Sequence, residues 1–400
     1  MAPPGACIDH VYSSALLVAI TPYAALGKIA KWFARNHASI LAVNEAAAID
    51  EAHVLQCVYN QSVFLFAFDP QQLPTFSASK TSPMVPLVNT YEDQYVCSLA
   101  ERLFTLEWPI MLMDQQFRML PGLFDPARDA FYHRRGIEDV ITPGADTAIA
   151  HNVEMWVMDK GGLPPPPGKY WLVFVDIPGT KCEKLSDSKS SVNRGMWKIF
   201  FERVLWPDFL SRGAGFHVDW DRLCILTPYR AMTNYIPDFL YEQCLDLSTD
   251  TVPFEHGDGV PDQSQDENLA GAMGALVVTE DADDSNRPDG PEPTVRTQNP
   301  MSLDCATIDS YQGQEKDLVF FFSTVSASSG PKFVANSNRL YVAFTRMRQG
   351  LIMVGDQGTR TIKTMELTGG GQHLDIRAFN HLWDWFRKNN RVVELDSSST

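Results

Sequence analysis

Two arginines that close one apolar-faced stretch are the residues of this chain best suited to hold phosphate. Arg346 and Arg348 follow Asn338-Arg339-Leu340-Tyr341-Val342-Ala343-Phe344-Thr345, where Leu340, Ala343 and Phe344 share one face of a predicted helix. A guanidinium is planar and always charged, so at a helix end beside a strand terminus it can anchor a phosphate or stabilise charge on one. A second polar element, Asp309-Ser310-Tyr311-Gln312-Gly313-Gln314-Glu315, leads into the apolar run Leu318 to Phe322.

Both elements need strands to place them. Leu318 to Phe322 and Gly350 to Val354 are apolar runs bounded by polar residues, the pattern of buried parallel strands. Further strands are expected at Ala15 to Ile20, Ser39 to Val43, Val63 to Phe68, Trp171 to Asp176 and Leu223 to Leu226. Predicted helices run from about Thr21 through Trp32, from Ser98, over Asp125 to Tyr132, from Asn193 through Leu210 and over Ile376 to Arg387. Strand–turn–helix units alternating in this way predict an α/β fold, a parallel sheet with helices on both faces.

In these stretches the chain resembles the superfamily-one helicases, in the branch that includes the nonsense-mediated decay helicase and senataxin. The fifth motif of that branch is close to V-D-x-[FY]-Q-G-x-E-x-D. The sixth is close to [RN]-R-L-N-V-A-[LF]-T-R-A-[RK]-x-G-L-[IV]-[IL]-V-G. This chain matches both in order, with Tyr341 where Asn is usual and Met347 where Ala is usual. The resemblance extends over roughly residues 15 to 390 and implies RecA-like parallel sheets, the P-loop NTPase helicase fold, with the first domain incomplete.

Roles for individual residues follow from the resemblance. Asn44-Glu45 after the Ser39–Val43 strand matches the Walker B form, with Asn44 in place of the magnesium-shell Asp and Glu45 as the residue that orients the attacking water. A neutral amide at Asn44 lowers the expected metal affinity. Asp69-Pro70-Gln71-Gln72 matches the third motif, with Gln72 as γ-phosphate sensor and Phe68 where Gly is usual. Gln116-Phe117-Arg118 matches Q-[YF]-R, so Arg118 is expected to reach the nucleotide from the second domain and Gln116 to bind it. Arg346 completes the expected catalytic group, and Gly313, Glu315 and Arg348 belong with the nucleotide-binding residues. Thr21 and the Thr227-Pro228-Tyr229 turn are the expected contacts to nucleic-acid phosphates. Asp50-Glu51-Ala52-His53 spells the box of another helicase superfamily, but an already helical Ala46 to Ile49 precedes it instead of a strand, so it is set aside.

The departures concern the nucleotide. No G-x-x-x-x-G-K-[ST] occurs in the 400 residues, and without it no backbone cradle holds the β- and γ-phosphates. The expected function is therefore the C-terminal part of an ATP-dependent RNA or DNA helicase that does not hydrolyse ATP by itself. ATP and Mg²⁺ are the cofactors of the parent family. The alternative is a degenerate, non-catalytic module that keeps a groove for single-stranded RNA or DNA. The chain reads as either a piece of a longer helicase or a degenerate paralogue.

Composition bounds the rest. The net charge is −16, but residues 246 to 292 hold thirteen acids against one Arg, a net of −12, which leaves −4 for the remainder. Residues 246–300, rich in Asp, Pro, Gly and Ser, read as a disordered acidic insert where protein partners would attach. The expected domains are a first-domain remnant over 1–108 and a second domain over 109–245 and 301–400. Seven scattered cysteines without a CxxC pair fit reduced thiols and argue against zinc. Ala15 to Ile20 is too short to span a bilayer, so an intracellular protein, nuclear or cytoplasmic, is expected.

Overall fold

The computed structural model describes residues 11–12, 14–75, 91–132, 136–185, 190–211, 213–247, 303–361 and 376–395. Two compact units divide the chain, Met1–Pro237 with Leu303–Thr400, and Asp238–Ser302. Apart from Asp246 and Leu247, the expected acidic insert lies outside the described residues. The first unit carries every sheet found among the described residues.

Its early elements are helix α1 (Lys28–Asn36), strand β1 (Ile40–Val43), helix α2 (Glu51–Leu55) and strand β2 (Val63–Phe66). Helix α3 (Leu99–Thr105) follows, then β3 (Gln115–Gln116), α4 (Asp125–Phe131), β4 (Glu138–Asp139) and α5 (Ala148–Asp159). The second half runs β5 (Val173–Asp176), α6 (Arg194–Phe200), β6 (Leu223–Thr227), α7 (Arg230–Leu247), β7 (Asp304–Thr307) and β8 (Lys316–Phe322). It closes with α8 (Ser337–Ala343), β9 (Met347–Gly355), α9 (Arg377–Lys388) and β10 (Val392–Glu394).

A six-stranded sheet in the order β10-β5-β9-β8-β6-β7 forms the core, and every neighbouring pair in it is parallel. Alternation along β8 shows why continuous apolar sequence was needed. Phe320 and Phe322 point to one face, against Phe200 at 5.6 Å and Trp197 at 5.7 Å. Phe321 points to the other, 6.0 Å from Phe344, which in turn meets Phe386 of α9. Both faces are thus covered by helices, as a parallel sheet requires. At the exit of β9 only glycine fits: a Cβ on Gly355 would stand 2.6 Å from Ser323 Oγ. Behind the sheet a buried ion pair, Arg391 Nη1 to Glu154 at 2.7 Å, is completed by Arg391 donors to the carbonyls of Leu163, Trp171 and Leu172.

The helix expected from Asn193 to Leu210 changes character midway, with α6 continuing as a π-helical stretch Phe201–Leu210 that contains Pro207. Pro207 lacks the N–H an α-helix would use, and wider winding accommodates it. Ahead of α6 the Asn193 side chain accepts from Met196 N–H and donates to the Thr324 carbonyl, which makes it a buried cap.

Two expectations for residues 1–108 are corrected. Ala15 to Ile20 is irregular rather than a buried strand, and Leu16 is fully exposed. Strands β1 and β2 do form in parallel register, yet Ile40, Val63, Phe64 and Leu65 remain exposed. Apolar sequence buries only when neighbours cover it, and among the described residues this sheet has two strands. Asp50 caps α2 by accepting the His53 N–H at 3.0 Å, so Asp50–His53 is a helix start.

Candidate functional site

The polar cluster lies where the turns after β1 and β2 meet the loop before β8 and the end of α8. Glu45 stands two residues past the end of β1 in a left-handed conformation, φ 53°, and its Oε2 accepts Gln312 Nε2 at 3.0 Å. After β2, Asp69 closes a turn by accepting the Gln71 N–H at 2.9 Å. The next two carbonyls, of Gln71 and Gln72, both accept Asn338 Nδ2, at 3.1 and 2.6 Å. Among the described residues the side-chain oxygen of Gln72 is buried without a hydrogen-bond partner.

Arg346 is 1% exposed. The end of α8 folds around it: Nε donates to the Val342 carbonyl at 3.1 Å, Nη2 to Thr345 Oγ1 at 3.1 Å and Nη1 to the Gln314 carbonyl at 3.4 Å. No carboxylate among the described residues pairs with it. Burial, reinforced by the nearby Arg118 charge, holds its pKa down to about 10, against a partial counter-effect of Tyr341, Glu45 and Asp69. A buried cation bonded only to neutral acceptors still lacks an anion, and its surroundings would welcome one.

Arg118 enters from the segment before α4. Its Nε meets Glu315 Oε2 at 2.5 Å and its Nη1 donates to the Thr345 carbonyl at 2.9 Å. Glu315 also accepts Arg348 Nε at 2.9 Å through its other oxygen. Burial alone would raise the Glu315 carboxyl, but the bonds from Arg118 and Arg348 prevail and hold it below the usual carboxylate range. Gly313 has φ 80° and open space where a Cβ would stand, so conformation rather than room is what demands glycine.

The other sequence-derived residues lie differently. The Gln116 amide is spent locally: Nε2 donates to the Met119 carbonyl and to Asp139, and Oε1 accepts the Met119 N–H. Thr227, Pro228 and Tyr229 are buried, with Thr227 Oγ1 3.1 Å from Thr324 Oγ1. Thr21 is exposed and its Oγ1 accepts the Ala24 N–H at 3.2 Å. Asn44 is exposed and lines a cavity of about 850 Å³ beside α1 and β1. The cluster thus gathers Glu45, Gln72, Arg118, Arg346, Glu315 and Arg348, and leaves Gln116, Thr21 and the Thr227–Tyr229 turn apart.

Three contributors escaped the sequence reading. Tyr132 donates its hydroxyl to Asp69 at 2.7 Å and stands 2.8 Å from the Tyr341 hydroxyl. Burial first, then these neighbours, push the Tyr132 hydroxyl far above its ordinary value. Tyr341 had a signal as a departure from the usual Asn, and Asn338 as the first position of the sixth motif. Neither showed its partner, and Tyr132 had no signal, because Tyr132–Tyr341 and Asn338–Gln71 each span more than two hundred residues of sequence.

As to what the cluster can hold, Arg346, Arg118 and the orphaned Gln72 oxygen suit the terminal phosphate of a nucleotide or the water beside it. A divalent cation is another matter. Asn44 offers only a neutral amide oxygen where a Mg²⁺ shell calls for a carboxylate, and the sequence has no phosphate-loop Ser or Thr to join it. These residues do not fit Mg²⁺.

Comparison with known proteins gives the following. Residues 95–358 match the family described as an AAA domain. The chain is 42% identical over 69 residues to helicase sen1 of Schizosaccharomyces pombe, covering 17% of this chain and 4% of that protein. It is 26% identical over 362 residues to the putative ATP-dependent RNA helicase ECM32 of Saccharomyces cerevisiae, covering 87% of this chain and 27% of that one. The chain therefore spans about a quarter or less of the relatives it matches. Among solved structures, an arterivirus nonstructural protein 10 (helicase) aligns over 81% of this chain and 41% of its own, at 13% identity and TM-score 0.28. The fold rests on the sheet order above, not on that overlay. No helix among the described residues is long and apolar enough to cross a membrane.

Proposed function

The chain belongs to the AAA domain family, as a superfamily-one helicase of the branch that includes the nonsense-mediated decay helicase and senataxin, and from that premise we propose that it is the second half of an ATP-driven nucleic-acid motor. In this reading residues 1–108 are the remnant of a first RecA-like domain, 109–245 and 301–400 the second, and single-stranded RNA or DNA is the partner. The observation that carries it is the buried Arg346, with no carboxylate partner among the described residues and with Arg118, Glu45 and Asp69 near enough to act on its charge.

ATP, when bound, would supply the phosphoryl group and the free energy of its transfer. Arg346 and Arg118 would offset negative charge developing there, Gln72 would orient the terminal phosphate or its water, and Glu45 would take that water's proton. Glu315 is a positioning residue that aims Arg118 and Arg348.

A second reading, a non-catalytic binding module, is favoured by one observation. Glu45 already bonds Gln312 and Arg118 already bonds Glu315, so both are spent within the protein. Binding of labelled single-stranded RNA and DNA at low salt tests what the two readings share. Weak, sequence-independent and strongly salt-dependent binding is expected. No binding to either would overturn both.

A further inference from the structure

Helix α1 carries a feature that the nucleotide cluster does not use. The chain has 49 Asp and Glu against 33 Lys and Arg, yet residues 10–44 contain neither Asp nor Glu. That acid-free span holds Lys28, Lys31 and Arg35, all on α1. At 100° per residue these three and Trp32 fall on one stripe of the helix. Ala30, Phe33 and Ala34 lie on the opposite side and line the cavity beside β1.

The stripe is open. Lys28 and Arg35 are exposed, Trp32 is 40% exposed, and Tyr23 just upstream is 82% exposed. No ion pair engages Lys28, Lys31 or Arg35 among the described residues. Arg35 is nevertheless held in place, its guanidinium 4.9 Å from the Tyr59 ring centre and its carbonyl accepting Asn60 Nδ2 at 3.0 Å. Trp32 lies 4.7 Å from the His37 ring, and Asn36 Nδ2 donates to its carbonyl.

A helix face that serves only solubility gains from mixing signs, because like charges three or four residues apart repel. Lys28, Lys31 and Arg35 instead stand at those spacings with no acid near them in sequence. Cations at regular intervals with exposed aromatic rings between them match single-stranded nucleic acid, whose phosphates need counter-charge and whose bases need flat surfaces.

We propose that the solvent face of α1, with Tyr23 just upstream, is a binding surface for single-stranded nucleic acid. Lys28, Lys31 and Arg35 meet consecutive phosphates, and Trp32 or Tyr23 stacks on a base. This rests on the nucleic-acid reading above and names the surface that serves it.

The test is fluorescence anisotropy of the full chain with labelled oligo(U) and oligo(dT) across a salt series. Three proteins are compared: unmodified chain, the triple variant Lys28→Ala, Lys31→Ala, Arg35→Ala, and a charge-matched control, Lys160→Ala, Lys184→Ala, Lys198→Ala. The α1 variant should bind about tenfold or more weakly at low salt, and its log–log salt slope should be shallower by about 2, from roughly 0.7 per lost phosphate contact. The control should stay near the unmodified chain. An α1 variant with the affinity and slope of the unmodified chain, or a control weakened as much, overturns the inference and leaves the nucleic-acid reading standing. An unmodified chain that binds neither oligonucleotide overturns both, as does binding only to phosphatidylserine vesicles. Should the variant not fold, ultraviolet crosslinking of oligo(U) to the unmodified chain decides: crosslinks between Tyr23 and Arg35 support the surface, and crosslinks confined elsewhere overturn it.

Discussion

Gln312 donates a side-chain N–H to Glu45 at 3.0 Å, joining residues 267 positions apart in sequence. One end of the bond lies on the turn after β1 and the other on the loop before β8. With Asn338 on the Gln71 and Gln72 carbonyls and Tyr132 on Asp69, it ties the turns after β1 and β2 to the loop before β8, to α8 and to the end of α4.

A double-mutant cycle on Glu45→Ala and Gln312→Ala should reveal a coupling of about 1 kcal/mol in urea unfolding, the range for a partly exposed bond to a charged acceptor. Additive single effects would show that the pair is not formed in solution.

Tyr132→Phe removes the hydroxyl shared by Asp69 and Tyr341 while keeping the ring. A loss of about 1–2 kcal/mol is expected, because Asp69 and Tyr341 each lose a partner in a half-buried setting. Tyr341→Asn should cost more, since it also removes the ring packed 5.3 Å from Phe131. Chemical denaturation of both variants checks the order, and a reversed order would refute it.

Four strands of the six-stranded sheet were legible because their residues admit little else: Leu318 to Phe322 and Leu223 to Leu226 are unbroken apolar runs, and both are fully buried, whereas the short edge strands β7 and β10 offer no such run. The end of α8 was legible for the same reason. Ala15 to Ile20 has equally apolar sequence and yet forms no strand, since β-structure depends on a pairing neighbour that composition does not report. The burial of Arg346 and of the Thr227 turn was hidden too, because depth is set by residues far away in sequence. The use of the Gln116 amide on Asp139 was likewise invisible in the local motif.

Asp176 gives a pH-dependent expectation. Burial is the main reason its carboxyl is raised to about 6; the Gln357 N–H opposes this, and the charges of Asp356 and Glu394 add to it. A carboxyl raised on folding destabilises the protein when charged, so the penalty is full above about pH 6 and fades as pH falls toward the unfolded value. Asp176→Asn should therefore raise stability by about 1–2 kcal/mol at pH 8, with roughly half that gain at pH 5. A gain that grows on acidification would contradict the assignment.

We propose that this chain keeps the charge-stabilising side chains of a helicase motor without a phosphate loop to hold a nucleoside triphosphate in position. Arginines accelerate nothing unless the phosphate is placed against them, and placement is a large share of the rate. The direct measurement is steady-state ATP hydrolysis by the purified chain, with Mg²⁺ and saturating single-stranded RNA or DNA. No turnover above the protein-free blank is expected, for the unmodified chain and for Arg346→Ala alike. Nucleic-acid-stimulated hydrolysis that Arg346→Ala abolishes would contradict it.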